Sequence, residues 1–249
     1  MQKVEQLINW YILSGVESFS ADEPYNVLKP ENENAAQRPA TSVLAQSENE
    51  AFASAKKLCD KAQTLDDLKC MMERFEGCSL KFSASSTVFG NGNPNASLMI
   101  IGEAPGADED RIGEPFVGRS GNLLNKMLKA IGISREECFV SNVLPWRPPG
   151  NRPPTDGETA VCLPFLKRQI ELVKPKIILM LGASAANALL ENTDSISRLR
   201  GHFMEYDVGE NYSCQVLATF HPAYLLRSPG QKSKAWSDFL RIKEKLTDL

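Results

Sequence analysis

Four loops of this 249-residue chain collect the side chains that are best suited to act on a ligand. They are GEAPGADED (102–110), NVLPWRPPGNRPPT (142–155), GAS (182–184) and HPAYLLRSP (221–229). Turns between strands and helices need glycine and proline, which explains Gly102, Pro105 and Gly182. That need does not explain five prolines and two arginines in the second loop, or a histidine at the start of the last one. These loops are therefore the candidate functional site.

The sequence lacks the motifs of several common catalytic and binding sites. Gly102 and Gly106 are not followed by the Gly-Lys-Ser/Thr of a nucleotide-binding P-loop, and no Gly-x-Ser-x-Gly nucleophile turn occurs. Only two histidines, His202 and His221, are present, and no Cys-x-x-Cys pair occurs, which argues against a zinc site. The missing motifs count against an unrelated α/β hydrolase or nucleotide-binding protein.

The elements that must position these loops alternate between strands and helices. Short apolar runs predict strands over 97–102, 138–144, 176–182 and 214–220. Amphipathic stretches predict helices over 121–132, 158–173, 184–191 and 232–247. Because such alternation is typical of a parallel sheet covered on both faces, we predict an α/β fold with three αβα layers and a central four-stranded parallel sheet. The four loops would then meet at the carboxyl ends of the strands.

The front of the chain does not share this pattern. Apolar spacing predicts an N-terminal helix within residues 1–19, so the fold carries a helical N-terminal extension. A composition rich in Ser, Asn, Glu and Pro predicts a flexible linker over 20–49. A helix pair is expected over 50–76, broken near residues 63–65. The main domain is therefore predicted to cover 50–249.

Charge is distributed unevenly along the chain. The net charge is −3, but residues 1–60 hold 5 basic and 9 acidic side chains, and residues 221–249 hold 6 basic and 3 acidic ones. A basic end permits a phosphate-bearing partner, and the acidic N-terminal segment is a candidate for docking to another protein. No apolar run reaches about 18 residues, no secretory leader is evident, and 6 cysteines are too few for a disulfide framework. We expect a cytoplasmic monomer without membrane contact.

Together the loops and their flanks resemble the uracil-DNA glycosylase superfamily, and within it family 4. The matching segments are VFGNGNPNASLMIIGEAPGADEDRIGEPFVGRSGNLLNKML (88–128), SNV (141–143), RPPGNR (147–152), PFLKRQIELVKPKIILMLGASAA (164–186) and TFHPAYLLR (219–227). Four motifs in the same order, with SNV and RPPGNR taken as one, are far more specific than any one of them. The resemblance implies hydrolysis of the N-glycosidic bond of deoxyuridine in DNA, which releases uracil and leaves an abasic site.

The resemblance assigns roles to residues from three loops. The target base must be flipped out of the duplex, which costs about a few kcal/mol, and Phe116 would then stack on its face. Asn142 would read uracil, because one carboxamide offers a donor to O4 and an acceptor to N3–H, whereas cytosine reverses both groups. His221, which we expect to be neutral, would donate a hydrogen bond to O2 and stabilise the departing uracil anion.

The first loop would supply the remaining contacts to base and water. Gly102 and Ala104 match positions beside the base, where backbone N–H groups can bind it. Ala104 stands where the best-known members of the superfamily carry a water-handling aspartate, as is usual in family 4. Glu103 and Glu109 are the candidates to orient water, and we prefer Glu103 because it lies at the strand end. The acids 108–110 also suit the start of a helix.

Contacts to DNA would come mainly from the second and fourth loops and the segment after them. The positive side chains expected on phosphates are Arg147, Arg152, Arg227 and Lys232. Tyr224 and Leu225 are candidates for the wedge that fills the vacated stack, with a core position for the leucine as the open alternative. The implied partner is uracil-containing DNA, single- or double-stranded, and the implied process is base excision repair at a bacterial-type nucleoid.

Family 4 proteins carry a [4Fe–4S] cluster on four cysteines, and this sequence departs from that pattern. Cys78 and Cys162 match two of the ligands, but Phe75 and Trp146 stand at the other two positions. Two thiolates do not satisfy a cluster that takes four. Cys70 could replace a ligand only with a rebuilt loop. We predict that the two aromatic side chains fill the volume of the cluster, so that the protein folds without iron and without any metal cofactor.

Two functions from different classes follow. The first is a monofunctional uracil-DNA glycosylase, since no lysine stands at a motif position to form a Schiff base. The second is a catalytically weak DNA-binding or partner-binding member of the same fold, which the degenerate cluster and the unassigned N-terminal segment support. The presence of Phe116, Asn142 and His221 together favours the enzyme.

Overall fold

The chain enters its main domain through a helix that starts earlier than the sequence predicts. The computed structural model describes residues 39–209 and 212–248, so the predicted helix within 1–19 and residues 20–38 lie outside the described residues. Helix α1, Pro39–Cys59, includes the last part of the predicted linker. Proline is well tolerated in the first turn of a helix, and the Ala, Gln and Glu residues after it are helix formers. The linker prediction is therefore wrong for residues 39–49.

Two short helices follow, and the first of them starts where the sequence predicts a break. Helix α2, Leu65–Arg74, begins with a reciprocal capping box. Thr64 Oγ1 accepts the Asp67 N–H at 3.1 Å, and the Asp67 carboxylate accepts the Thr64 N–H at 3.1 Å. Helix α3 is the single turn Leu80–Ser83.

Within the described residues the sheet has six strands, in the order β1-β3-β2-β4-β6-β5. They are β1 Asn91–Gly92, β2 Leu98–Gly102, β3 Phe139–Asn142, β4 Ile177–Leu181, β5 Phe203–Gly209 and β6 Tyr212–Thr219. The four central strands are parallel, as predicted. The antiparallel edge strands β1 and β5 are additions that the sequence analysis missed. β5 alternates between exposed and half-buried residues, so it lacks the apolar run by which the central strands were found.

Helices and short 3₁₀ turns connect the strands. The helices are α4 Ala107–Ile112, α5 Arg119–Ala130, α6 Asp156–Val173, α7 Ala183–Leu190, α8 Ile196–Leu199, α9 Pro222–Arg227 and α10 Lys232–Thr247. The turns are Arg135–Glu137, Pro149–Asn151 and Pro229–Gln231. Within the described part of the chain, no helix is long and apolar enough to cross a membrane.

Apolar side chains cover both faces of the central strands. Successive residues of β2 point to opposite faces, so Ile101 packs in one buried cluster and Ile100 in the other. The first cluster includes Phe165 of α6, and the second includes Leu124 of α5 and Phe239 of α10. This arrangement gives the three layers, and it places the loops after β2, β3, β4 and β6 at one edge of the sheet.

Candidate active site

A cleft of about 450 Å³ opens at the carboxyl ends of the parallel strands. We call it the base cleft; Phe116, Asn142 and His221 line it together with Glu103, Ala104 and Arg227. The structure thus brings together residues that are as much as 124 positions apart, counting from Glu103 to Arg227. Gly102 does not line the base cleft and instead lies directly behind two of these side chains.

Phe116 is held in a backbone conformation that favours glycine. Its φ angle is 55°, and its ring is buried at 5.8 Å from the ring of His221, measured between centroids. A non-glycine residue in this region costs on the order of 1–3 kcal/mol and persists only where its surroundings enforce it. Gly121 allows this conformation, because a Cβ at that position would lie 1.7 Å from the Phe116 carbonyl oxygen.

The Glu109 carboxylate fixes the loop that carries Phe116. Its Oε1 accepts the N–H groups of Val117 and Gly118 at 3.0 and 2.9 Å, and its Oε2 accepts the Gly106 N–H at 3.1 Å. The side chain is buried and joins the first loop to the segment after α4. Glu109 is therefore occupied as a positioning residue, which leaves Glu103 as the carboxylate at the strand end. The sequence marks Glu109 as a candidate to orient water and as part of an acidic helix start, but it carries no signal for these three hydrogen bonds.

Asn142 is placed by the register of the sheet. It lies opposite Gly102 in the parallel pairing of β2 and β3. A Cβ on Gly102 would lie 2.4 Å from Asn142 Oδ1 and 2.5 Å from Phe116 Cζ, so the missing side chain leaves room for both groups. Asn142 Oδ1 is buried and has no hydrogen-bond partner among the described residues. An unpaired buried acceptor costs about 1–3 kcal/mol, and a ligand with an N–H donor would relieve that cost.

His221 is held as a neutral imidazole with a defined proton position. It caps the N-terminus of α9, where its Nδ1 accepts the Ala223 N–H at 3.1 Å. Burial, reinforced by the positive charge of Arg227, lowers the pKa of His221 to about 4. Because Nδ1 accepts a hydrogen bond, the single proton of the neutral ring is on Nε2. The ring can therefore donate from Nε2.

The positive residues expected to bind DNA differ in their availability. The side chains of Arg227 and Lys232 are exposed and form no ion pair within the described residues. Arg147 donates to Asn151 Oδ1 at 2.7 Å. Arg152 forms a bidentate pair with Glu158, with N–O distances of 2.9 and 2.5 Å, so it reaches a phosphate only by sharing or leaving that carboxylate.

The wedge prediction requires a correction. Leu225 is fully buried, and it packs with Phe220 and Ala235 beneath the site. A side chain in the core cannot enter a base stack, so the alternative of a core leucine is the one that the structure supports. Tyr224 and Leu226 are exposed by 36% and 37% on the same short helix. Tyr224 also lines the base cleft.

Comparison with known proteins agrees with this geometry. The sequence profile of the uracil DNA glycosylase superfamily matches residues 89–240, which include every strand-end loop of the base cleft. The chain belongs to the uracil-DNA glycosylase superfamily. A type-4 uracil-DNA glycosylase of Archaeoglobus fulgidus is 39% identical over 186 residues, which are 73% of this chain and 93% of that protein.

Further members of the superfamily show the same degree of similarity. A type-4 uracil-DNA glycosylase of Saccharolobus solfataricus is 38% identical, over 74% of this chain and 87% of its own length. One of Thermotoga maritima is 40% identical, over 63% of this chain and 80% of its own length. The similarity therefore extends over most of each relative.

The positions of the four cluster ligands do not fit an iron–sulfur cluster in this member of the superfamily. Cys78 and Cys162 are buried with their sulfur atoms 3.9 Å apart. A hydrogen bond with Cys78, together with burial, raises the pKa of Cys162, which keeps it a thiol. Among the residues that the structure describes, no group of three or more His, Cys, Asp or Glu side chains is arranged to hold a metal ion.

Phe75 and Trp146 occupy the other two ligand positions as part of the core. Both are buried, and their rings stack with centroids 6.5 Å apart and planes 20° apart. Phe165 packs edge-on against Phe75 at 5.2 Å, and Trp146 Nε1 donates to Thr87 Oγ1 at 3.0 Å. The two rings belong to the same buried cluster as the two thiols.

Proposed function

We propose that this protein is a monofunctional uracil-DNA glycosylase that removes uracil from DNA during base excision repair. The observation that carries the proposal is the convergence of Phe116, Asn142 and His221 on one cleft. The similarity to type-4 uracil-DNA glycosylases supports the same reaction. The substrate is deoxyuridine in single- or double-stranded DNA, and the products are free uracil and an abasic site.

Recognition of uracil uses the ring and the amide. The flipped base stacks on Phe116, and the Asn142 carboxamide donates to O4 and accepts from N3–H. The unpaired Oδ1 of the free protein supports this assignment, because N3–H is the donor that it lacks. Cytosine presents an acceptor at N3 and an amino group at C4, so its binding would leave buried polar atoms unpaired.

Bond cleavage uses the neutral imidazole. As the glycosidic bond breaks, negative charge accumulates on uracil O2, and the His221 Nε2–H donates to that oxygen. A donor that is already fixed in a buried site stabilises the anion more than neutral uracil, which lowers the barrier. Glu103 orients the water that attacks the sugar. No lysine lines the base cleft within the described residues, which supports hydrolysis without a Schiff base.

The reaction needs no iron in this proposal. The stacked pair Phe75–Trp146 and the thiols Cys78 and Cys162 fill the region that family 4 members give to a [4Fe–4S] cluster, so we expect a protein that folds without it. Protein purified under anaerobic conditions should be colourless and free of iron in a colorimetric assay. Iron in stoichiometric amount, with the visible absorbance of an iron–sulfur protein, would contradict this.

We further expect a monomer that works in the cytoplasm. The basic surface of the C-terminal segment supports contact with DNA. Docking of a partner protein to the acidic N-terminal segment stays a prediction, because most of that segment lies outside the described residues.

Uracil release tests the function directly. An oligonucleotide with one uracil is incubated with protein, and hot alkali then breaks any abasic site. We expect His221→Ala to lower kcat by about 10²–10³-fold, since it removes one preorganised donor. Asn142→Ala should also abolish most cleavage. The matched controls are His202→Ala and Asn122→Ala, which change exposed residues away from the base cleft.

The outcome also decides between the enzyme and the binding protein. Cleavage retained in both site variants would show that the site is misassigned. Oligonucleotide binding without cleavage, at enzyme excess, would favour the catalytically weak DNA-binding member of the fold. The filled cluster region is the observation that supports this second candidate.

A further inference from the structure

A second cavity, of about 390 Å³, opens beside the base cleft. We call it the neighbour cavity. It shares Glu103, His221 and Tyr224 with the base cleft, so the two cavities are direct neighbours. Nothing in the proposed reaction uses its remaining wall, which comes mainly from the end of β4, the start of α7, α8, the turn Pro229–Gln231 and the start of α10.

The inner wall of the neighbour cavity is aromatic and rigid. The rings of Phe220 and Tyr224 lie 5.2 Å apart between centroids. The guanidinium of Arg200 lies 5.2 Å over the Phe220 ring, and Asp238 holds that guanidinium at N–O distances of 2.7 and 3.2 Å. Leu181 adds apolar surface. A fixed aromatic and apolar wall suits the face of a planar ring.

The outer wall carries one cation and one unsatisfied amide. The Lys234 ammonium is exposed and forms no ion pair within the described ranges, while its backbone carbonyl is anchored by Arg200 at 2.5 Å. Gln231 Oε1 is shielded from solvent and has no hydrogen-bond partner in the part of the chain that is described. Asn142 is in the same condition in the base cleft. An unpaired amide costs free energy that a polar ligand can recover.

We propose that the neighbour cavity binds the nucleotide next to the target deoxyuridine on the same DNA strand. Its base stacks against the exposed Tyr224, whose ring packs on the buried Phe220. Its phosphate contacts Lys234, and the Gln231 amide pairs with the base edge. An apolar and aromatic floor beside a single lysine fits a nucleotide better than an isolated anion. Because the cavity shares three lining residues with the base cleft, one strand can reach both. This inference rests on the proposed function, since it takes DNA as the substrate.

The enzyme should therefore contact a second base on the DNA strand, whose glycosidic bond it does not cleave. Stacking of one base on an aromatic side chain contributes about 1–3 kcal/mol to binding of a single strand. Removal of the base from the neighbouring nucleotide, with its phosphate kept, should therefore weaken binding about 5–150-fold. The loss should occur on one side of the uracil only, because the cavity lies on one side of the base cleft.

The experiment uses binding, so that it does not depend on turnover. Single-stranded oligonucleotides carry 2′-fluoro-deoxyuridine, which resists cleavage, and either a normal base or a tetrahydrofuran spacer at each neighbouring position. Kd is measured by fluorescence anisotropy at several salt concentrations. Lys234→Ala should raise Kd and lower the salt slope by about 0.7, the value for one phosphate on a single strand. Gln231→Ala should raise Kd only when the neighbouring base is present.

The matched control is Lys243→Ala, which removes an exposed lysine from the same helix, far from the cavity in sequence, and should leave Kd unchanged. The inference is overturned if spacers on both sides leave the wild-type Kd unchanged, or if Lys234→Ala behaves like the control. Uracil release from the matching deoxyuridine oligonucleotide is measured in parallel. Tight binding with a one-sided spacer effect but no release would contradict the glycosylase function and leave the neighbour cavity supported.

Discussion

The protonation state of His221 is set by two of its contacts, and it predicts a pH dependence. The Ala223 N–H occupies Nδ1, and burial with the charge of Arg227 lowers the pKa to about 4. The ring is therefore neutral from neutral pH down to about pH 5. Protonation would place a hydrogen on Nδ1 against the Ala223 N–H and disrupt the cap. We expect uracil release to fall as the pH falls through about 4.

An NMR titration of His221 checks this expectation. Its pKa in the folded protein lies below the unfolded value of about 6.5, so the unfolded chain takes up the proton first as the pH falls. Stability should therefore decrease between about pH 6.5 and 4. Arg227→Gln should raise the pKa of His221, because it removes a positive charge beside the ring. A wild-type pKa above 6 would refute the assignment.

Glu109 offers a second test, because its role is geometric. Glu109→Gln replaces one acceptor oxygen with an amino group, so at least one of the three N–H groups from Gly106, Val117 and Gly118 loses its partner. Each unpaired buried group costs about 1–3 kcal/mol. We expect kcat to fall by about tenfold or more with KM less affected, because Phe116 loses its fixed position. Glu244→Gln, an exposed change, is the control, and equal kinetics for both variants would contradict the role.

The side chains that contact the base were more predictable from the sequence than the residues that hold them in place. Asn142 and His221 follow buried strands directly, but their roles, and the role of Phe116 beyond the first strand-end loop, came from the resemblance to the superfamily. Glu109 was a candidate to orient water, but its positioning role could not be predicted, since a carboxylate near a helix start has a simpler explanation. For Leu225 the wedge and the core position both stayed open, because exposure of one face of a short helix depends on packing that the sequence does not contain.

The stacked pair Phe75–Trp146 should contribute to the stability of the fold. Trp146 is almost completely buried, so Trp146→Ala should leave a cavity and lower the free energy of unfolding by about 3–5 kcal/mol. Trp236→Ala removes a tryptophan that is 41% exposed and should cost much less. Urea titrations of both variants make the comparison. Equal losses would show that the ring does not support the core.

Strands and helices were predictable to different degrees. Long apolar runs identified β2, β3, β4 and β6, because strands buried on both faces have no polar residues to interrupt the pattern. β1 has two residues, too few for any pattern, and β5 is half-exposed. The start of α1 within a polar segment was missed because composition alone does not distinguish a polar, solvent-exposed helix from a linker.

A buried ion pair joins the C-terminal helix to the sheet and to the active site. Asp238 of α10 accepts Thr219 Oγ1–H at 2.6 Å and holds Arg200. Thr219 ends β6, two residues before His221. Asp238→Ala would leave the Arg200 guanidinium largely buried without its partner, which typically costs about 3–5 kcal/mol. We expect lower stability together with lower kcat, whereas Glu244→Ala on the same helix should change neither.

Thermal unfolding and steady-state kinetics, measured on the same preparations, separate the two effects. If Asp238→Ala lowers the melting temperature but leaves kcat unchanged below it, the pair supports the fold without influencing the site.

The parallel pairing of Gly102 with Asn142 limits where the length of the chain can change in proteins of this superfamily. Inserting one amino acid within β3 would turn the carboxamide to the opposite face of the sheet. Natural length changes should therefore be confined to the connecting segments, and the count of residues within these two strands should be invariant wherever uracil is still recognised.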